Sequence, residues 1–335
     1  MSLLTEIEEQ PATIARALDE NLAVYREVTG LADKCTHVVI AARGTSDNAA
    51  RYAQYVWGFR NRLAVSLAAP SLFSIYRRPP RLDGALVVGI SQSGQSPDIV
   101  SVLEEGRAQG RPVVSITNDT HSPLAAAGDV VVPLHAGAET AIAATKTYTS
   151  QLAVVAAISE VMAGKSLELG WLSDSVAAVL AGSDGARDAA EAMGGFEHAA
   201  VLGRGFNLAT AFEWALKMQE LSYVVAQPFS TADFLHGPIA VVDRGYPVLA
   251  VVADGATADD VVEALERTRA REAPTLTLTN VSGLAGPVLE FPEIEEWLSP
   301  IPAIVLAQLF TYWLTVAQGN DPDNPRGLSK VTRTT

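Results

Sequence analysis

A loop rich in hydroxyl groups is the part of this chain best suited to hold a ligand. It runs from Ser91 to Ser96, between an apolar run over 85–89 and a stretch with helical spacing of apolar residues over 99–109. A helix N-terminus attracts anions through its dipole and its free N–H groups, and Ser91, Ser93 and Ser96 add hydroxyl donors. Because the loop has no Lys or Arg, it suits a small phosphoester better than a polyphosphate. Taken alone, it is equally consistent with a turn that only caps the helix.

A second set of reactive side chains lies on one predicted helix, 207–224. Glu213, Lys217 and Glu220 recur at i, i+4 and i+7 and therefore share a face. A solvated stripe of ion pairs is the more common explanation of such a face, and a functional edge is the alternative. His236 follows in a tight Gly-Pro turn. An isolated histidine is usually structural, but one that titrates near neutral pH beside a carboxylate and a lysine forms a usable acid–base set.

Two further segments allow either a structural or a functional interpretation. Residues 139–149 lead into an apolar helix over 152–162, and an N-capped core helix is favoured there over a ligand-facing helix start. The tail over 319–330 has no helix or strand periodicity. It is predicted to be either frayed or a lid that brings Lys330 to a pocket, and its loss is expected to cost little stability.

Composition limits the class of protein. The chain has 335 residues, 48% of them hydrophobic, and a net charge of −14, which argues against nucleic acid or an anionic membrane as a partner. Cys35 is the only cysteine and the histidines lack metal-ligand spacing, so no disulfide, metal or cofactor is expected. Residues 1–16 lack a signal-peptide core, and the apolar run 304–313 is predicted to be too short to span a bilayer. We therefore expect a cytoplasmic protein.

Strands alternate with helical stretches, which predicts an α/β fold with doubly wound parallel sheets. Gly44 and Gly205 each follow a first strand (205 − 44 = 161), and Pro112 and Pro274 each precede a third strand (274 − 112 = 162). We therefore predict two tandem copies of one unit. The predicted strands are 37–41, 85–90, 113–117 and 129–134, then 199–202, 246–252, 275–279 and 288–291. The predicted layout is an N-terminal helix over 1–21, a first domain over 22–165 that is expected to hold the phosphate, a second domain over 180–318, and a C-terminal tail over 319–335.

In this order, the motifs resemble the double sugar-isomerase (SIS) domain, and in particular the isomerase half of glucosamine-6-phosphate synthase. The resemblance covers nearly the whole chain. It rests on residues 6–11, 44–46, 91–94, 144–146, 213–220, 236–238 and 321–330. It implies two flavodoxin-like SIS domains and a phosphosugar isomerase.

The resemblance also implies a role for each site residue. The substrate-binding set is Arg43, Gly44, Thr45, Ser46, Ser91, Gln92, Ser93, Ser96 and Ala144; within it Ser46, Ser91, Gln92, Ser93 and Ser96 would hold the phosphate and Thr45 would contact a sugar hydroxyl. Glu220 would move a proton between C1 and C2, with Lys217 assisting. His236, presented by the partner subunit of a homodimer, would open the sugar ring, and Lys330 would meet the open-chain carbonyl.

Four positions depart from the family's common residues. Arg43 replaces Cys, Ala144 replaces Ser, Gln219 replaces Lys and Ser96 replaces Thr, so the identity of the sugar stays open. The synthase also has a glutaminase domain with an N-terminal Cys, which this sequence lacks. We therefore expect no ammonia production from glutamine.

These expectations favour an amino-sugar-phosphate deaminase/isomerase. The predicted reaction turns glucosamine 6-phosphate and water into fructose 6-phosphate and ammonia. A fructosamine-phosphate deglycase and a plain aldose–ketose isomerase are the enzyme alternatives. A non-catalytic sugar-phosphate sensor is the third, because SIS domains also occur in transcription regulators. The segment 1–30 holds little more than one acidic helix, which is too little for a DNA-binding module.

Overall fold

A computed structural model describes residues 2–330 of the chain. The residues separate into two compact units. The unit that we call the N-unit comprises residues 10–139, 146–173 and 329–330, and the C-unit comprises residues 2–9, 140–145 and 174–328. The domain boundaries given above, 22–165 and 180–318, stay a prediction from the sequence.

The strands and helices follow one another along the chain in regular alternation. The strands are β1 His37–Ala41, β2 Ala64–Leu67, β3 Ala85–Ser91, β4 Val113–Thr117, β5 Val130–Pro133, β6 His198–Gly203, β7 Val225–Ser230, β8 Val248–Val252, β9 Thr275–Thr279 and β10 Val288–Glu290. The helices are α1 Leu3–Glu8, α2 Gln10–Glu20, α3 Leu22–Ala32, α4 Thr45–Asn61, α5 Ser71–Ser74, α6 Pro97–Ala108, α7 Pro123–Ala127, α8 Lys146–Met162, α9 Leu172–Ala181, α10 Asp184–Met193, α11 Leu208–Lys217, α12 Thr231–Leu235, α13 Ala258–Arg269 and α14 Pro300–Ala317. A π-helical turn, Met218–Ser222, directly follows α11.

Both units contain a parallel five-stranded sheet with the same strand order. The order is β2-β1-β3-β4-β5 in the N-unit and β7-β6-β8-β9-β10 in the C-unit. This is the flavodoxin-like order, in which the first and third strands are neighbours at a topological switch point. The residues of β3, β4, β8 and β9 are all buried, as is usual for parallel strands covered on both faces. The predicted α/β fold with two tandem doubly wound sheets is confirmed.

The sequence predicted all the strands of the described residues except β2 and β7. Both are edge strands that pair with the first strand of their sheet. In β2 the residues alternate between exposed and half-buried, and β7 contains Pro228, so neither has the continuous apolar run of an interior strand. Ala64 and Val225, the first residues of these strands, have the same offset as Gly44 and Gly205. The repeat therefore extends to all five strands.

The ends of the chain differ from the simplest expectations. The single helix predicted over 1–21 is in fact two helices, α1 and α2. Pro11 lies in the first turn of α2, where the backbone N–H that a proline lacks would have no partner within the helix. Helix α14 has 18 residues and is longer than the predicted run 304–313, and by length and composition it could cross a membrane. However, 78% of it is buried, and it packs against α10 and α11 of the same unit. Its burial is that of a core helix.

Candidate functional site

The predicted phosphate loops meet at the switch point of the N-unit sheet. Strand β1 pairs with β3 so that Ala41 lies opposite Gly89, and the two strands end side by side. The loop after β1 carries Arg43, and the loop after β3 leads into α6. Arg43 Nε donates to Asp98 Oδ2 over 2.9 Å, and Asp98, in the first turn of α6, is buried. This ion pair joins the two loops beyond the carboxyl ends of the strands, where ligands bind in sheets of this type.

The serine side chains are held in a way that leaves their O–H groups available. Ser46 Oγ accepts from Gln151 Nε2 at 3.0 Å, and Ser91 Oγ accepts from Gly94 N at 3.1 Å. Ser93 Oγ accepts from a backbone N–H two residues further on. A hydroxyl oxygen that accepts a hydrogen bond still has its own proton to donate. These serines are therefore suited to donate to the oxygens of an anion.

Ser96 bears on whether this loop is a phosphate loop or a simple capping turn. It is the N-cap residue of α6 and has extended backbone angles, but its side chain makes no capping hydrogen bond. A serine that served only as a cap would use its hydroxyl for that bond. The geometry therefore favours the ligand-binding interpretation of this loop.

The remaining residues of the predicted substrate set are placed as follows. Gly44 is the N-cap of α4 with a φ of 52°, and half-buried Thr45 is the first residue of that helix. Gln92 is half-buried, and its carbonyl oxygen accepts from Asn118 N at 3.2 Å. Ala144 is half-buried in the loop before α8, within a segment of the C-unit.

Gly94 makes the tight course of the serine loop possible. Its φ is 62°, and a Cβ added there would lie 2.1 Å from Ser122 Oγ and 2.5 Å from Ser122 Cβ. We expect Gly94→Ala to weaken phosphate binding by at least about tenfold and to destabilise the fold by about 1–3 kcal/mol, because the loop has to move and the backbone is strained. Gly110→Ala is the matched control, since Gly110 has a φ of 69° but nothing within 4 Å. Phosphate titration and thermal unfolding of both variants check this; equal phosphate affinity in the two would contradict it.

In the C-unit, the predicted trio forms an ion cluster, with Glu213 and Lys217 on α11 and Glu220 in the π-helical turn that follows it. Lys217 Nζ lies 3.4 Å from Glu213 Oε1 and 2.5 Å from Glu220 Oε2. The side chains of Glu213 and Lys217 are 0% and 1% exposed, whereas that of Glu220 is 24% exposed. The shared face is confirmed, but the more common explanation, a solvated stripe, is wrong for this helix. Of the three side chains, only Glu220 reaches solvent.

The charge on Lys217 is stabilised by its neighbours. Burial by itself lowers the pKa of a lysine, but the carboxylates of Glu220 and Glu213 outweigh it and raise the pKa of Lys217 above its ordinary value. The ammonium group is therefore a fixed positive charge that holds Glu220 in place. Glu220 lies in the π-helical turn, a distortion that often marks a functional site.

His236 lies apart from this cluster within the C-unit. It is the C-cap residue of α12 and is exposed. In the part of the chain that the structure describes, no hydrogen bond or ion pair connects His236 with Lys217 or Glu220. The acid–base set predicted from sequence is therefore only partly assembled inside the C-unit.

Lys330 and the carboxylate that it contacts both belong to the N-unit. Lys330 Nζ donates to Glu139 Oε2 over 2.7 Å, and the side chain of Glu139 is fully buried. Glu139 also accepts from the backbone N and the hydroxyl of Thr147 in the first turn of α8. The sequence did not single out Glu139, although its position shortly before Thr147 at a hydroxyl-rich helix start was a usable signal. The tail is docked up to Lys330; its predicted remainder, 331–335, lies outside the described residues.

Helix α8 itself is the capped core helix that the sequence favoured. All of its 17 residues except the last two are buried. Within residues 2–330, no group of three or more His, Cys, Asp or Glu side chains is arranged to hold a metal ion.

Two sheets of one strand order, the first with serine-lined loops at its switch point, define a tandem doubly wound α/β protein. The pattern of the SIS domain matches residues 31–160 and 196–316. The chain therefore belongs to the SIS domain family, as the motifs indicated.

Relatives agree with this assignment. Glutamine–fructose-6-phosphate aminotransferase (isomerizing) from Thermococcus kodakarensis is 32% identical over 343 residues, which cover 98% of this chain and 57% of the relative. The chain thus spans little more than half the length of that relative. Among solved structures, the C-terminal domain of glucosamine-fructose-6-phosphate aminotransferase from Francisella tularensis is similar, with a TM-score of 0.88 and 29% identity. The match covers 96% of this chain and 97% of that domain. The prediction of an enzyme of the phosphosugar-isomerase type is confirmed by such relatives.

A more distant structure has the same fold. Glucosamine-6-phosphate deaminase from Thermotoga maritima has a TM-score of 0.81 and 20% identity, with 99% of both chains covered. At this identity the likeness concerns the fold alone.

Proposed function

We propose that this chain is an amino-sugar-phosphate deaminase/isomerase that converts glucosamine 6-phosphate and water to fructose 6-phosphate and ammonia. The observation that carries the proposal is the buried Lys217 ammonium, which holds the partly exposed carboxylate of Glu220 over 2.5 Å. Moving a carbon-bound proton to the neighbouring carbon requires one base that keeps the proton and returns it. A carboxylate with one side anchored and the other accessible is suited to that task.

The proposed reaction balances without a cofactor. The partner subunit's His236 donates a proton to the ring oxygen while the C1 hydroxyl loses its proton, which gives the open-chain aldehyde. Glu220 takes the proton from C2 while the carbonyl oxygen on C1 gains a proton, which gives an enolamine. Glu220 then returns its proton to C1 and the nitrogen loses a proton, so that C1 carries a hydroxyl and an imine stands at C2. Water adds to the imine carbon, the nitrogen leaves as ammonia, and the ketose remains. Lys330 contacts the carbonyl of the open chain.

The N-unit loops support binding of the phosphate end. Ser46, Ser91, Ser93 and Ser96 have O–H groups to donate, and Arg43 is the cationic side chain at the loops. The side chain of Arg43 is 49% exposed although Asp98 neutralises part of its charge. This supports a role in contacting or excluding part of the sugar. We place the reaction in the cytoplasm of the cell and in a homodimer, in which the exposed position of His236 suits donation to a second subunit.

A plain aldose–ketose isomerase is the second candidate, because it uses the same base and the same ring opening and needs no imine hydrolysis. A fructosamine-phosphate deglycase shares the imine step. A sensor without turnover has no need for a buried ammonium that anchors an accessible carboxylate, so the pairing of Lys217 with Glu220 supports an enzyme over a sensor.

A panel of sugar phosphates separates these functions. We expect the purified protein to release ammonia and fructose 6-phosphate in equal amounts from glucosamine 6-phosphate. Unphosphorylated glucosamine is the matched control and should not react, because the serine loops then have no anion to hold. Ketose formation from aldose phosphates with no ammonia from any amino sugar would contradict the deaminase and indicate the isomerase. Tight binding without turnover on the whole panel would indicate the sensor.

A further inference from the structure

The two repeats share an ion pair at their switch points. In the N-unit Arg43 Nε lies 2.9 Å from Asp98 Oδ2, and in the C-unit Arg204 Nε lies 3.4 Å from Asp260 Oδ2. The arginines have the same offset in the sequence as Gly44 and Gly205, and the aspartates have the same offset as Pro112 and Pro274. Each arginine follows the first strand of its sheet, and each aspartate lies in the first turn of the helix after the third strand. The C-unit has therefore kept the ion pair that joins the phosphate loops in the N-unit. We call this ion pair, together with the two loops that it joins, the frame.

The space inside the C-unit frame is occupied by a carboxylate of the same chain. Glu296 Oε2 accepts from Ala256 N over 2.9 Å, and Glu296 Oε1 accepts from Thr257 Oγ1 over 2.6 Å. Thr257 is the N-cap of α13 and is the counterpart, at the offset of the repeat, of Ser96, the N-cap of α6. The Thr257 hydroxyl therefore donates to the Glu296 carboxylate. At the equivalent position in the N-unit, the Ser96 hydroxyl makes no capping hydrogen bond.

Two glycines show how closely the carboxylate fills this space. A Cβ at Gly255, in the loop after β8, would lie 2.3 Å from Glu296 Oε2. A Cβ at Gly205, in the loop after β6, would lie 4.0 Å from Glu296 Oε1. Glu296 thus lies between the loops that follow the first and third strands of the sheet, and at the N-terminus of α13, a place that favours negative charge.

We propose that Glu296 is a built-in anion that fills the phosphate cradle of the second repeat, so that each chain binds a single phosphate monoester, in the N-unit. The carboxylate satisfies the backbone and hydroxyl donors that a phosphate would otherwise take. Its removal opens a second site for a small oxyanion of the phosphate class. The N-unit site in this statement rests on the proposed function, whereas the filled C-unit cradle does not.

The number of inorganic phosphate ions bound per full-length chain tests the proposal. Equilibrium dialysis or calorimetry should give one phosphate for the wild type and two for Glu296→Ala. Glu293→Ala is the matched control, because it removes an exposed carboxylate of the same segment and the same charge, and it should bind one. Adding Thr257→Val to Glu296→Ala should return the number to one, since the cradle then lacks its hydroxyl donor.

Stability gives a second readout. Removing Glu296 leaves donors of the cradle unsatisfied, and phosphate should restore them, so phosphate should raise the melting temperature of Glu296→Ala more than that of the wild type. Glu296→Gln, which keeps the volume and one acceptor, serves if the alanine variant does not fold. Phosphate should raise the melting temperature of Glu296→Gln more than that of Glu293→Ala. Where Glu296→Ala also folds, the rise for Glu296→Gln should be the smaller of the two.

The outcomes separate this proposal from the proposed function. A folded Glu296→Ala that binds no more phosphate than the wild type would overturn it, and so would a wild type that already binds two. If the wild type bound none and Glu296→Ala bound one, the built-in anion would be supported and the N-unit phosphate site contradicted. In a Ser91→Ala/Ser96→Ala background, Glu296→Ala should still gain one phosphate.

Discussion

Glu220→Gln should lower turnover by about 10²–10⁴-fold while leaving phosphate binding nearly unchanged, because it removes the base and keeps its shape. The residue lies in the C-unit, whereas the serine loops belong to the N-unit. Some loss of stability should accompany the change, since the ion pair of Lys217 with Glu220 becomes a hydrogen bond to a neutral amide. We expect about 1–3 kcal/mol for the weakened charged hydrogen bond. Steady-state kinetics, phosphate titration and thermal unfolding measure the three effects.

Glu263→Gln is the control for this variant. Glu263 is an exposed carboxylate of the same unit, paired with Arg267 on α13, and its loss should leave turnover unchanged. A Glu220→Gln enzyme with wild-type kcat would remove Glu220 from the reaction. Mixing Glu220→Gln with His236→Ala adds a test of the homodimer. If the partner subunit's His236 serves the site, mixed dimers regain part of the activity that each variant lacks; no recovery in confirmed mixed dimers would contradict the sharing.

Lys330→Ala should lower turnover by about 10²–10⁴-fold, the size expected when a group that handles the reacting carbonyl is lost. Deleting residues 327–335 should have the same effect. In contrast with the expectation from sequence, the structure predicts a loss of stability on the order of 3 kcal/mol, because the fully buried Glu139 carboxylate loses its ion pair. Phosphate affinity should stay the same.

A double variant separates chemistry from folding at this position. Glu139→Gln combined with Lys330→Ala neutralises the buried charge, so stability should recover while turnover stays low. Lys330→Arg keeps the positive charge beside Glu139 but lacks the amine, and it should be stable and slow. Lys165→Ala, at an exposed lysine of the same unit, should behave as the wild type. Near-wild-type activity of the truncated or Lys330→Ala enzyme would show that the tail takes no part in the reaction.

The interior of both sheets was predictable because buried parallel strands have continuous apolar sequences. The strands β3 and β9 were predicted to within a residue for this reason. The edge strands β2 and β7 lack such runs, and only the offset between the two repeats could have located them. Spacing predicted the shared face of Glu213 and Lys217 but not its burial, because burial depends on α14 and β7, which pack against this helix from elsewhere in the chain.

The contacts of Lys330 and Glu296 show a different limit. Both residues have partners that lie far away in the sequence or in an irregular loop. Helix or strand periodicity in the sequence therefore does not reveal these partners. Lys330 meets Glu139 across 191 positions, and Glu296 reaches Thr257 across 39. The sequence showed that the second copy lacked the serine loop; it did not show that a carboxylate stands there instead.

The π-helical turn Met218–Ser222 has a consequence for how this helix tolerates insertions and deletions. A π turn holds one residue more than a regular α-helix has room for, so it has the form of a single-residue insertion. Deleting the exposed Gln219 would restore a regular helix but would turn Glu220 by about 100° relative to Lys217. The more regular helix would have better backbone hydrogen bonds and a misdirected carboxylate. The extra residue of this turn therefore keeps Glu220 beside Lys217 at the expense of regular helical hydrogen bonds.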